Sequence, residues 1–182
     1  MKAVKEHRRL LAGLGLAALM LSFVLVKRQQ LGAMTLLRYL LLLIAGYCAA
    51  LSDIRARVVP NVLMLLMLAA WTFWMGALAL IQWEQFLLLL IQSLAGGLVL
   101  GLAALIVYLL SKKGLGGGDV KFLATAGLYL TVGPGLTAVI LGTVLSAMTA
   151  LLLMALRKIS LKDAIPLIPF LYAGILIVAF FA

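Results

Sequence analysis

Residues 36–61 read LLRYLLLLIAGYCAALSDIRARVVPN. Apart from Arg38, positions 36–52 form an apolar run. It is about as long as the ~17–25 residues a helix needs to cross the hydrocarbon core of a bilayer. The run stops at Asp53, passes through Arg55 and Arg57, and restarts at Pro60-Asn61 ahead of a second apolar run. Proline is favoured in the first turn of a helix, where its missing N–H would have no partner. The stretch therefore predicts a membrane helix, a polar turn carrying one acid, and the start of a returning helix.

The rest of the chain repeats that grammar. Apolar segments fall at roughly 10–26, 36–52, 59–81, 86–110, 119–132, 136–156 and 165–181, read by run length and flanking breaks. Two-thirds of the 182 residues are hydrophobic and the mean hydropathy is +1.27. A soluble domain of this size could not hide that much apolar surface. The expected fold class is all-α, a polytopic helical membrane protein. Residues 1–35 are read as a basic tail with one extra transmembrane helix, and 36–182 as a six-helix membrane domain.

The net charge of +10 sits mostly in short loops between apolar runs. That placement argues for topology and contact with anionic lipid rather than nucleic acid. Arg55 and Arg57 follow the second segment, Lys112, Lys113 and Lys121 surround a glycine loop, and Arg157, Lys158 and Lys162 follow the sixth. The alternate loops, 82–85 and 131–135, carry no Lys or Arg. The positive-inside rule then puts Asp53 and Asp119 on one side, the cytoplasmic one, with Trp83 anchoring the opposite interface. The basic start could suggest a signal peptide, but no small-x-small cleavage site precedes Lys27, so the first segment is read as uncleaved.

Several chemistries are excluded early. The single Cys48 permits neither a disulfide nor a paired-cysteine zinc site, and it is read as ordinary helix packing. The single His7 cannot build a multi-histidine metal centre or a Ser-His triad from the tail. No metal and no cofactor is expected.

The acids remain. There are five in the chain, and an ionisable group at membrane depth points to function. Asp119 follows Gly114-Leu115-Gly116-Gly117-Gly118 and precedes Val120-Lys121. Glycines before an acid that opens a helix are by themselves ordinary capping chemistry. The run also lacks the ending of a phosphate loop. From Asp119 to Val132 the segment is short. Fourteen residues give about 21 Å at 1.5 Å per residue, against a hydrocarbon core of ~30 Å. The glycine loop is therefore expected to dip below the surface, where irregular backbone must line protein or a wet cavity.

Taken together, D-x-R-x-R-x-x-P-N from Asp53 to Asn61 and G-x-G-D-x-K from Gly116 to Lys121 resemble the type IV prepilin peptidases, membrane aspartyl proteases with a GxGD motif. The closer likeness is to short, peptidase-only forms such as those of tight-adherence pilus systems. Ile165-Pro166-Leu167-Ile168-Pro169-Phe170-Leu171 is similar to the family's P-x-x-P-F element opening the last helix. The resemblance covers about 36–182.

It implies that Asp53 and Asp119 are the catalytic pair, one ionised and taking a proton from water, the other protonated and donating to the scissile carbonyl. Gly116 and Gly118 would let backbone approach them closely. Lys121 would tune the pair or snorkel, Arg55 and Arg57 would set topology, and Pro60 and Asn61 would restart the chain. Pro166 and Pro169 would kink the helix that shapes the cavity. The implied substrates are prepilin or pseudopilin precursors, cut behind a short basic leader at the cytoplasmic (inner) membrane of a prokaryote. Larger relatives carry a methyltransferase region with paired CxxC motifs; this chain has neither, so no methylation is expected. No oligomeric state follows from the sequence.

Two rival readings use the same acids. Presenilin-like proteases share GxGD but pair it with Tyr-Asp and a late Pro-Ala-Leu, whereas Ser52 precedes Asp53 here and no Pro-Ala-Leu occurs. A small transporter could use the two aspartates as a proton relay, but it leaves the P-N and P-x-x-P-F elements without a purpose.

Overall fold

The computed structural model describes residues 2–111, 115–160, 163 and 165–181, with side chains from Gly13 onward. Lys112, Lys113 and Lys162 lie outside the described residues, as do the side chains of His7 and the basic N-terminal tail. All the described elements are helices: α1 (Lys2–Lys27), α2 (Ala33–Ala56), α3 (Asn61–Ile81), α4 (Trp83–Leu110), α5 (Gly117–Leu130), α6 (Val132–Ala155) and α7 (Ile168–Phe181). Four of them, α2, α3, α4 and α6, are each long and apolar enough to cross a membrane alone. The chain is a multi-pass helical membrane protein.

The helix ends differ from the apolar runs wherever the run is not what stops the helix. α2 continues three residues past Asp53 and ends only at Arg57, which takes a left-handed conformation (φ 52) while its N–H donates to the Asp53 carbonyl. The acid thus lies within the last helical turn, not in a loop. α6 starts four residues earlier than its apolar run, because Pro134 fits a first turn. A single residue, Thr131, separates it from α5, and its φ of 66 is an uncommon conformation for a β-branched side chain.

Lipid tails are as apolar as leucine, so helices in a bilayer associate through close packing of small residues and through hydrogen bonds. Both operate here. α4 and α5 form the most extensive helix pair, seated on Gly96, Gly97 and Gly127. A methyl group on Gly96 would meet the Gly127 carbonyl and would lie 2.7 Å from the Thr131 backbone. α3 is tied to α5 twice: Tyr129 Oη donates to the Met67 carbonyl at 2.6 Å, and Trp71 Nε1 to the Leu128 carbonyl at 3.1 Å. Trp74 Nε1 ties α3 to α2 by donating to the Met34 carbonyl at 2.8 Å. α1 docks through the fully buried Phe23, whose ring meets Tyr39 of α2 and Phe180 of α7.

One side chain differs from the expectations above. Cys48 is exposed on the outer face of α2 and is not packed in the bundle. The reason is its register: Gly46, Ala49 and Ala50 take the inward positions, and a helix turns only one stripe toward its neighbours. Arg38, the one charge that interrupts the apolar run of 36–52, is not at a helix end. It is buried in α2, with its guanidinium 5.4 and 5.5 Å from the Tyr39 and Trp74 ring centroids, a cation–π arrangement.

Candidate active site

The end of α2, the 57–60 turn, the start of α3 and the start of α5 enclose one polar pocket of ≈ 310 Å³. Its lining includes Asp53, Arg57, Asn61, Gly116, Gly118, Asp119 and Lys121. The two aspartates of the sequence motifs therefore meet at one end of the bundle. The Asp53 charge reaches Asp119.

Each acid is held by a backbone donor. Asp53 is buried, and its Oδ2 accepts the Ile168 N–H at 3.2 Å. Ile168 is the first residue of α7, and the first N–H groups of a helix have no partner within it. Asp53 supplies one from another helix, where the macrodipole favours negative charge. Asp119 is half-buried. It is not the N-cap of α5, since Gly116 holds that position. Three residues into the helix, its Oδ2 reaches back to accept the Gly116 N–H at 3.0 Å. This is the carboxylate half of a capping box; the other half needs a side chain that Gly116 lacks.

The turn between Asp53 and Asn61 is fixed at several points. Ser52 Oγ donates to the Val58 carbonyl at 2.8 Å. The buried Val59 packs on Gly118, where an added Cβ would lie 3.3 Å from Val59 Cβ and Cγ2. The close approach at Gly118 is to the turn leaving Asp53, not to either carboxylate. Lys121 Nζ donates to Asn61 Oδ1 at 2.8 Å, so Lys121 is engaged across the pocket and not simply snorkelling.

The remaining motif residues divide. Pro60 is the N-cap of α3 and stays outside the pocket lining. Arg55 is exposed and also outside it. Arg57 was expected only to set topology, yet it lines the pocket and its charge acts on Asp53. Pro166 and Pro169 do not kink a helix. Pro166 precedes α7 and Pro169 is its second residue, a position where the missing N–H costs nothing. Their effect is to set where α7 begins, and that start is the donor to Asp53. The Ile168 N–H is the contributor that side-chain motifs could not reveal.

Glu84 and Asp163 stand apart from the pocket. Asp163 caps its own turn. Its Oδ2 accepts the Ser160 N–H at 2.8 Å and the Ser160 hydroxyl at 3.0 Å, and these bonds hold its carboxyl below the usual range. Among the described residues no cluster of His, Cys, Asp or Glu is arranged to hold a metal ion.

No curated protein and no solved structure matches the chain significantly. The type IV leader peptidase family matches residues 39–182, which leaves α1 outside the match and takes in every residue of the pocket. On that match over most of its length, the chain belongs to the type IV leader peptidase family and is a protease of the leader-peptidase kind.

Proposed function

We propose that the protein is a membrane-embedded aspartyl endopeptidase that removes the short basic leader from prepilin or pseudopilin precursors. The observation that carries this is the meeting of Asp53 and Asp119 in one pocket, each with a backbone N–H on one carboxylate oxygen. Two carboxylates at one site share a proton, because ionising both is costly. The ionised partner takes a proton from water as its oxygen attacks the scissile carbonyl carbon. The protonated partner donates to the carbonyl oxygen. Collapse of the tetrahedral intermediate breaks the C–N bond as one hydroxyl returns its proton to the carboxylate that gave it, and the departing nitrogen takes up the proton that the other carboxyl took from water. Only these two side chains and water are used.

The pocket faces the cytoplasm in this proposal, by the charge asymmetry of the loops. The protein then resides in the cytoplasmic membrane of a prokaryote. Residues 36–182 form the peptidase unit and 1–35 an added tail and helix. Anionic lipid meets the basic loops.

Co-expression with a tagged prepilin precursor from the same genome tests the proposal, alongside Asp53→Ala and Asp119→Ala. Leader loss with the wild type and with neither variant is the expected result. An active single variant would sink the dyad, and a well-inserted wild type that cuts no candidate precursor would sink the peptidase assignment.

A further inference from the structure

Lys121 Nζ donates to Asn61 Oδ1, a side-chain bond that joins the first residue of α3 to the helix carrying Asp119. The chemistry of the two groups fixes which way the amide faces. A lysine ammonium has three donors and no acceptor, so only the amide oxygen can meet it. The carboxamide is planar, and Nδ2 with its two N–H bonds is therefore turned away from Lys121. Both residues line the pocket with the two carboxylates. Asn61 is set firmly as the first residue of α3, behind the Pro60 N-cap, whose carbonyl accepts the Leu63 N–H at 3.0 Å.

We infer that Asn61 contacts the substrate: its Nδ2 donates to a backbone carbonyl of the peptide lying across Asp53 and Asp119, and Lys121 is the positioning residue that keeps the amide in that orientation. The assignment rests on the peptidase reading of the pocket. An extended peptide entering the site loses water from its carbonyl oxygens, and each one left without a donor weakens binding. The two carboxylates offer at most one shared proton, so a neutral donor beside them meets a need they cannot. Lys121 itself need not touch the peptide. Without it, the amide can rotate by half a turn and present oxygen to oxygen.

The test uses the full chain in membranes and a cleavable precursor. Asn61→Asp keeps the shape and keeps an acceptor for Lys121, but it removes the donor. Asn61→Ser removes the amide without adding charge. Both should lower kcat/KM by roughly 10²-fold, the usual effect of losing one preorganised donor, with insertion and thermal stability unchanged. Lys121→Arg, which still only donates, should stay within about threefold of wild type. Lys121→Met should cost roughly tenfold, and should cost nothing further in the Asn61→Ser background, where there is no amide to orient. Cleavage by Asn61→Ser within about threefold of wild type would overturn the assignment. So would a Lys121→Met penalty of equal size in both backgrounds. Should Asn61→Asp fail to accumulate, Asn61→Ser and the Lys121 pair carry the same decision. A wild type that cleaves no leader-bearing precursor overturns the peptidase reading and this assignment together; an active wild type with active Asn61 variants overturns this assignment alone.

Discussion

Replacing Gly96 by Ala should loosen the bundle although it adds a single methyl group. The added carbon would lie 2.7 Å from the Thr131 Cα and carbonyl carbon, and would also meet the Gly127 carbonyl. Carbon atoms rest at ~3.5–4.0 Å, so α4 and α5 must separate by about 1 Å. The obstructing atoms are backbone, at Gly127 of α5 and at the Thr131 link that follows it, and no rotamer change relieves them. Overpacking of this kind costs ~1–3 kcal/mol, here at the upper end, and the better helix propensity of Ala returns up to ~1 kcal/mol. A net loss of about 2 kcal/mol follows. Gly76→Ala is the control, since its new carbon has nothing within 4 Å and only the propensity gain applies. Thermal unfolding of the purified variants in one detergent, followed by tryptophan fluorescence, reads the difference through the buried Trp71 and Trp74. Gly96→Ala should melt several degrees below Gly76→Ala. Equal midpoints, or a higher one for Gly96→Ala, would refute the claim that backbone contact holds α4 to α5.

Other outcomes follow from the site. Asp53→Asn should abolish cleavage yet leave the fold intact, because its amide oxygen can still accept the Ile168 N–H; a melting point far below wild type would show that the charge itself holds α7. Gly118→Ala has only a few tenths of an ångström to find against Val59, so it should stay folded and lose activity by roughly 10-fold through displacement beside Asp119, measured as kcat/KM. Tyr129→Phe removes a buried bond to the Met67 carbonyl and should cost about 0.6–1.7 kcal/mol, the range for such bonds in membrane proteins, read in the same melt. Asp163→Ala and Glu84→Ala should cleave like wild type, since neither lines the pocket; an inactive, well-expressed Asp163→Ala would mean that the set of acids is incomplete.

Much of the architecture was legible because lipid selects for length. An apolar run long enough to cross must be a helix, and its ends show as charge or proline, as at Arg55, Arg57 and Pro60. The same logic misjudged α2 at Asp53, where the apolar run stops but the backbone bonds continue for three more residues. It missed the α4–α5 contact because glycines such as Gly96 carry no signal of what they face. The motifs anticipate that Asp53 and Asp119 meet, but they assign Asn61 only the restart of the chain, and its place in the pocket beside Lys121 comes from the structure. No motif shows the Ile168 N–H, because a main-chain donor is the same in every residue and its use depends on where a distant helix begins. For the same reason Pro166 and Pro169 suggest a bend in sequence when in the structure they mark a start.

α5 and α7 are each fourteen residues long, about 21 Å of helix at 1.5 Å per residue. α5 begins at the pocket and carries Asp119, and the first N–H of α7 donates to Asp53. A bilayer of ~30 Å cannot wrap two such helices without thinning or letting water in beside them. The hydrolytic centre therefore has its own local membrane thickness, set by protein and not by the surrounding lipid. Under the proposed function, a precursor whose helix entered from thicker membrane would meet water earlier along its length than elsewhere. Where the cut falls is then a matter of depth as well as of sequence, and the lipid composition of the host membrane becomes one of the variables of the reaction.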